Sequence, residues 1–492
     1  MSVITPAASV LLSRGPGSRE LFAILRGEQL KFFGGFWAFP GGKVGAEDAE
    51  LSGHFEARRF AACRELFEET GVLVARYADG SFPRPSLELD ECRHALLAER
   101  LSFTRMLFDR GLSIRADDFS LIGEITTPEF APVRYATTFF VAQLPSGQEP
   151  VVWPGELERG EWIEGRQLLQ RWRDGEILLT PPTAMSLATL SERPVEDAPG
   201  LLGPLFTRLA QGAIHPIFLA PSVRMLPLRT RGLPPSTHTS CYIVGNGPRY
   251  LIDPGPDDVQ EQEVLIDFLR TVEIPTAIVL THHHPDHVGA AAICAQRFGL
   301  PILAHARTAE KLHGSVTIDR HLSDGERLDL GECPSEGGRS WFLEVMHTPG
   351  HASGHLAFYE PFYRLLFAGD MISTLSSMVI APPDGNLPDY LQSLRRLRDL
   401  PSRLLLPSHG NVSARPAELI DQAIAHRAKR EAQLLESLAD GDLAIAELTE
   451  RLYRGTPEIL MRFAQAQVLA GLLKLEAEGR ARQVDAQRWQ RV

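Results

Sequence analysis

Four side chains able to bind a metal ion, His282, His284, Asp286 and His287, fall in one short stretch directly after the apolar run Pro275–Leu280. A buried strand that ends this way constrains the fold, because its donors must converge somewhere. His282 and His284 alternate, so in an extended loop their rings leave the backbone on the same side, while His283 faces the other way and reads as structural. Asp286 and His287 lie one turn further on and can serve a second ion. Neutral imidazole nitrogen and carboxylate oxygen suit Zn²⁺, and also Fe or Mn. The alternative is a surface histidine cluster that binds nothing. Against it, further histidines and aspartates recur downstream, in the order a binuclear hydrolase needs.

Those later groups close short apolar or histidine-rich segments: Leu251–Gly255 with Asp253, His347–His355 with His351, Leu365–Asp370, and Leu404–Gly410 with His409. Together with residues 281–287 they resemble the metallo-β-lactamase fold, the superfamily of glyoxalase II, RNase Z-type nucleases and lactonases. The resemblance implies an αββα sandwich. It assigns His282, His284 and His351 to one ion, Asp286, His287 and His409 to the other, and Asp370 to both. Asp253 would orient the histidine loop through hydrogen bonds, and His347 and His355 would support the ligands or face the substrate. Two Zn²⁺ ions, or Fe or Mn, would activate water and polarise the scissile group, with Asp286 helping to orient the attack. A β-lactamase of the commoner type would use a Cys ligand and lack the bridging Asp. The set here points to an ester, thioester or phosphodiester.

A second constellation lies far upstream. Phe39-Pro40-Gly41-Gly42 is followed by Glu56 and by Arg64-Glu65-Leu66-Phe67-Glu68-Glu69-Thr70-Gly71. Offsets of three and four put Glu65, Glu68 and Glu69 on one helix face, where they repel one another unless a cation is bound. A solvated acidic helix face is the alternative. The pattern resembles the Nudix box, which implies an α/β/α sandwich, Mg²⁺ or Mn²⁺ held by Glu65, Glu68 and Glu69, one of them acting as base, and cleavage of a nucleoside diphosphate derivative. The segment between Gly42 and Glu56 is longer than the usual box spacing by about eight residues. With Arg134–Val141 and Leu179–Thr183 it is similar to the coenzyme A diphosphatase branch, so coenzyme A or an acyl-CoA is the expected ligand. The C-terminus, Trp489-Gln490-Arg491-Val492, carries no peroxisomal tripeptide.

With 492 residues the length favours about three domains. A Nudix-like domain is expected over 1–195, a linker over 196–235 where the text turns rich in Pro, Glu and Gly, the metallo-β-lactamase-like domain over 236–415, and a winged-helix-like cap over 416–492. In that last part helices are expected over 416–439, over 444–453, and from Thr456-Pro457 to about Glu478, with Leu469, Leu472, Leu473 and Leu475 marking a packed face. Their spacing resembles the winged-helix tail of the β-lactamase-like protein 2 family. Five cysteines without a Cys-x-x-Cys pair suit a reducing cytoplasm, and neither a secretory signal at Met1-Ser2 nor a membrane span is apparent. The formal charge of −12 argues against wholesale nucleic-acid binding.

The expected protein is a bifunctional metal-dependent hydrolase acting on small molecules. Two rivals are a metallo-β-lactamase-type endoribonuclease that binds RNA, assisted by the first domain, and a chain whose Nudix-like part senses a nucleotide without cleaving it. The C-terminal part is expected to act as a lid or dimer contact, so ending the chain near Pro416 should reduce stability or alter specificity without removing the metals.

Overall fold

The structure is a computed structural model that describes residues 3–30, 32–49, 54–131, 133–212, 214–439, 441–485 and 488–492. Met1, Ser2 and residues 50–53 of the long segment before Glu56 lie outside the described residues. The chain divides into two compact units, residues 1–221 and 222–492.

The first unit is built on a sheet whose centre is the parallel pairing of Ile4–Ser13 with Arg134–Gln143, in register from Ile4 against Arg134 to Ser13 against Gln143. Parallel central strands are covered on both faces, and their inner runs Val10–Leu12 and Phe139–Ala142 are apolar and buried. Side-chain alternation sends Val10 and Leu12 to one face, where they meet Phe60, Leu66 and Phe67 of the helix His54–Thr70. Leu11 goes to the other face and meets Leu168, Leu187, Leu202 and Phe206. This is helix, sheet and helix in three layers. Two further helices follow, Leu87–Leu97 and Phe103–Arg110, each started by a serine, Ser86 or Ser102, whose side chain accepts a first-turn N–H. Leu89, Leu96, Phe103 and Met106 pack in the same core as Phe67.

The expected linker over 196–235 is not one. Ala198–Gln211 is a helix that buries Ala198, Leu202 and Phe206 in the first unit's core, and Val223–Arg229 is a strand paired with His238–Val244. Ala198, Leu202 and Phe206, at four-residue steps, bury one face of the helix, which outweighs the cost of the interior Pro204, while Pro199 sits in the first turn, where a proline costs a helix little.

In the second unit one sheet runs Arg320–Leu322, Ile302–His305, Ala277–Val279, Tyr250–Ile252, His238–Val244, Val223–Arg229. The other runs Arg327–Glu332, Ser340–His347, Leu356–Glu360, Leu365–Gly369, Leu404–Pro407. The sheets meet through Tyr242, whose ring lies 5.2 Å from that of Phe367 and whose hydroxyl donates to Pro407 O at 2.7 Å. The alternate residues Leu366 and Ala368 face outward, onto Tyr390 and Leu394 of the helix Leu387–Arg398. Strands buried on both faces explain the unbroken apolar runs that precede Asp370 and His409.

After His409 the helix Pro416–Ser437 adds Ile420 to that outer core. Ile445–Leu452 and Met461–Ala477 follow, with a three-stranded sheet in the order Leu443–Ala444, Arg488–Arg491, Ala481–Gln483. The third helix begins at Met461, after a short 3₁₀ turn over Glu458–Leu460, rather than at Thr456. Leu472 and Leu475 are buried, but Leu473 is 40% exposed, so the packed face is narrower than the leucine text implied. Among the described residues no helix is long and apolar enough to cross a membrane.

Candidate functional site

The histidine loop leaves the strand Ala277–Val279 beside the end of Tyr250–Ile252, where Asp253 takes a left-handed conformation (φ 52°) and turns its carboxylate inward. That carboxylate accepts from Thr281 N at 2.8 Å and Thr281 Oγ1 at 2.6 Å, and faces His287 Nδ1 at 2.8 Å. Because the Thr281 hydroxyl gives its proton to Asp253, it can only accept from His282 Nδ1, 2.9 Å away. His351 Nδ1 donates to Val379 O at 2.8 Å, and His409 Nδ1 to His238 O at 3.1 Å. A neutral imidazole carries one N–H, so each of these bonds leaves the Nε2 of His282, His287, His351 or His409 as a bare lone pair.

Those lone pairs converge. The donor atoms of His282, His284, His351 and Asp370 lie within 4.8 Å of one another, and so do those of Asp286, His287 and His409. His284 joins through Nδ1, 2.8 Å from His282 Nε2 and 3.0 Å from His351 Nε2. Asp370 stands between the two sets: Oδ2 is 3.4 Å from His351 Nε2, while Oδ1 is 3.4 Å from His409 Nε2 and 3.6 Å from His287 Nε2. Asp286 lies 3.4 Å from His409 Nε2 and accepts from Thr239 Oγ1 at 3.3 Å. His287 Nε2 and Asp370 Oδ1 are buried with no hydrogen-bond partner among the described residues. Buried polar atoms are rarely left so. Five imidazoles and two carboxylates that aim acceptors at one another fit a pair of divalent transition-metal ions, one for each set.

The charges tell the same story. Burial, then the neighbouring histidines, hold His282 well below its ordinary range and bring His284 down to about 3. For His287 and His409 burial also disfavours the cation, but Asp370 with Asp286 outweighs it, so His287 rises well above its ordinary value and His409 to about 10. Asp286 falls to about 2 and Asp370 well below the ordinary carboxylate range, since His287 and His409 overcome the cost of burial. The pocket calls for positive charge, and metal ions can supply it in place of protons.

The flanking histidines separate. His355 is fully buried, with Nδ1 2.8 Å from Thr348 Oγ1 and Nε2 accepting Asp370 N at 3.0 Å, so it holds the turn that carries Asp370. His347 stacks on His305 with ring centres 4.1 Å apart, and its Nε2 donates to Ser353 O at 3.0 Å. His283 turns away, 3.8 Å from Asp384. Sequence reading missed Val379 and Thr239, each supplying one atom from a stretch of ordinary composition, and the part played by Thr281 Oγ1 at the head of the histidine loop.

In the first unit Glu65, Glu68 and Glu69 share the helix His54–Thr70, but their donors do not converge as those of the second unit do. Arg64 lies among the acids and relieves the repulsion expected to need a cation. It pairs with Glu65 at 3.0 Å, Glu68 at 3.1 Å and the fully buried Asp48 at 2.8 Å. Glu69 Oε2 accepts Gly41 N at 2.8 Å. A Cβ on Gly42 would fall 2.4 Å from the Glu65 carboxylate, so the paired glycines let the loop close over the helix. Burial, against Arg64, raises Glu65 to about 7, and burial with the charge of Glu65 raises Glu69 well above the ordinary range. Glu56 is exposed on the first turn.

Residues 235–409 match the model of the metallo-beta-lactamase superfamily, and residues 444–489 that of the beta-lactamase associated winged helix domain. A Drosophila melanogaster protein named beta-lactamase-like protein 2 homolog is 30% identical over 306 residues, 57% of this chain and 92% of that protein. A hydroxyacylglutathione hydrolase of Rhizobium meliloti (strain 1021) is 33% identical over 188 residues, 37% of this chain and 68% of that one. Among solved structures, a NUDIX hydrolase from Alicyclobacillus acidocaldarius is 29% identical with a TM-score of 0.37, covering 41% of this chain and 98% of its own.

Proposed function

Because the chain belongs to the metallo-beta-lactamase superfamily, and is a metal-dependent hydrolase, we propose that its second unit hydrolyses a small thioester or ester at a site of two transition-metal ions. The observation that carries this reading is Asp370, whose two oxygens face two separate donor sets. His282, His284 and His351 would hold one ion, Asp286, His287 and His409 the other, and Asp370 both. When bound, such ions activate water near neutral pH and polarise the scissile carbonyl. The protein's own part is orientation: Asp253, Val379 O and His238 O would hold the tautomers of His287, His351 and His409, and Asp286 would help direct the attack. A relative named for hydroxyacylglutathione favours a thioester over a phosphodiester.

The RNA-cleaving alternative is weaker, because three basic side chains of the C-terminal part are held in ion pairs. Lys474 pairs with Glu431 at 2.5 Å and Glu478 at 2.6 Å, Arg480 with Glu431 and Glu478, and Arg488 with Asp442 at 2.8 Å. Paired groups offer phosphates no stripe.

For the first unit the proposal is cleavage of a diphosphate linkage in a nucleoside diphosphate derivative, coenzyme A or an acyl-CoA being the first to try. Glu65, Glu68 and Glu69 would hold Mg²⁺ or Mn²⁺, with one of them serving as base. The support is the Gly41-Gly42 turn closed onto Glu65 and Glu69.

Elemental analysis of protein purified without chelator tests the central reading. Two transition-metal ions per chain are expected, and a reproducible value below one after reconstitution overturns it.

A further inference from the structure

The histidine site is completed from a part of the chain that carries no metal donor. His351 Nδ1 donates to Val379 O, so the tautomer and tilt of His351 depend on where that one carbonyl sits. The segment around it, Met378–Ile380, belongs to no helix or strand. Its backbone is fixed instead by the C-terminal helices. Gln467, on Met461–Ala477, accepts from Ile380 N at 3.2 Å through Oε1 and donates to Met378 O at 2.8 Å through Nε2. One carboxamide thus bonds the peptide groups on both sides of Val379 and leaves the Val379 carbonyl to His351. Arg427, on Pro416–Ser437, locks the amide: its guanidinium donates to Gln467 Oε1 at 3.1 Å and also to Met378 O. Arg427 is 6% exposed and its guanidinium carbon lies 5.3 Å from the centre of the Tyr390 ring.

A buried arginine is kept only where its donors are met. Here they are spent on one carbonyl and one amide, with no carboxylate bonded to the guanidinium among the described residues. Side-chain amides that hydrogen-bond a backbone in both senses hold an irregular segment as a strand neighbour would. We infer that Gln467 is a positioning residue for the metal centre, acting with Arg427 through Met378–Ile380 to present Val379 O to His351. The C-terminal helices then have a defined task, to set the direction of the His351 lone pair. This rests on the reading of His351 as a metal ligand.

The test uses the full chain with Gln467→Met, which keeps the length of the side chain and removes both bonds. Zinc affinity is measured by chelator competition, the ligand field by the absorption of the Co²⁺-loaded protein, and the His351 tautomer by ¹⁵N-histidine spectra of the metal-free protein. The expected results are a loss of zinc affinity of roughly ten- to a hundred-fold, as for other groups that orient a ligand imidazole, a shifted Co²⁺ spectrum, and loss of the single Nδ1–H form of His351. Gln467→Glu, which still accepts from Ile380 N but cannot donate to Met378 O, should fall between the variant and the parent. Unchanged affinity and an unchanged Co²⁺ spectrum in a folded Gln467→Met protein overturn the inference. Should that variant fail to fold, parental affinity in Gln467→Glu does the same. His351→Ala separates the premise from the inference: if it leaves zinc stoichiometry at the parental value, His351 is no ligand and both fall. If it removes zinc while the Gln467 variants bind as the parent does, only the positioning role falls.

Discussion

Asp253 shows how much a single residue without a metal-facing atom can decide. Its carboxylate takes the Thr281 amide, the Thr281 hydroxyl and His287 Nδ1, and through the hydroxyl it also sets which nitrogen of His282 is bare. Asp253→Ala leaves those donors buried without acceptors, at a cost of about 3 kcal/mol. It also frees two imidazoles to change tautomer. The expected outcome is a lower urea midpoint together with zinc affinity reduced roughly ten- to a hundred-fold. Asp253→Asn should keep more of the stability, because asparagine tolerates the left-handed φ of 52°, yet lose comparable affinity, because an amide has one acceptor oxygen where the site needs two. Equal affinity in Asp253→Asn and the parent, by the same chelator competition, would remove Asp253 from the orienting role.

Loops that carry ligands are held by the elements beneath them. Gly350, next to His351, has φ 135°, and a Cβ there would lie 2.2 Å from Tyr390 Cα on the helix Leu387–Arg398. Gly350→Ala should push the His351 loop off that helix and cost about 2–4 kcal/mol, read by urea denaturation. A stability within experimental error of the parent would show that the contact is not tight. Much at this scale could be read from the text. Each donor-bearing turn follows an apolar run or a histidine loop, because a strand buried on both faces has nowhere polar to go until it ends. Less legible were the contacts that join distant stretches. Asp48 is sixteen residues from Arg64, and neither residue type nor spacing announces that the two meet. Val379 contributes only a carbonyl, which every residue has. Ala198–Gln211 was hidden by its prolines and glycines, although Ala198, Leu202 and Phe206 keep the spacing of a buried helical face.

For the whole molecule, separate sites imply separable activities. On the proposed reading, Asp286→Ala should abolish thioester or ester hydrolysis and leave any diphosphate cleavage largely intact, whereas Glu68→Gln with Glu69→Gln should do the reverse, since the amides keep the shape and lose the charge that would hold Mg²⁺. A folded variant of either kind that lost both activities would show the sites to be coupled. The C-terminal helices make the larger test. Ile420 and Ala470 lie in one apolar cluster with Tyr390, Leu394 and Leu405, and Arg427 and Gln467 hold Met378–Ile380. Removing everything after Pro416 therefore does more than expose an apolar face. It takes away the bonds that place Val379 O, so the truncated chain should bind zinc more weakly as well as unfold at lower urea, whereas a simple lid would leave the metals as tightly held as before. Chelator competition on the truncated chain, with Gln467→Met in the full chain beside it, distinguishes the two. If the full-length variant shows most of the loss in affinity that truncation shows, the helices act on the centre through that one amide. A truncated chain that held zinc as the parent does would reduce the C-terminal part to a cover.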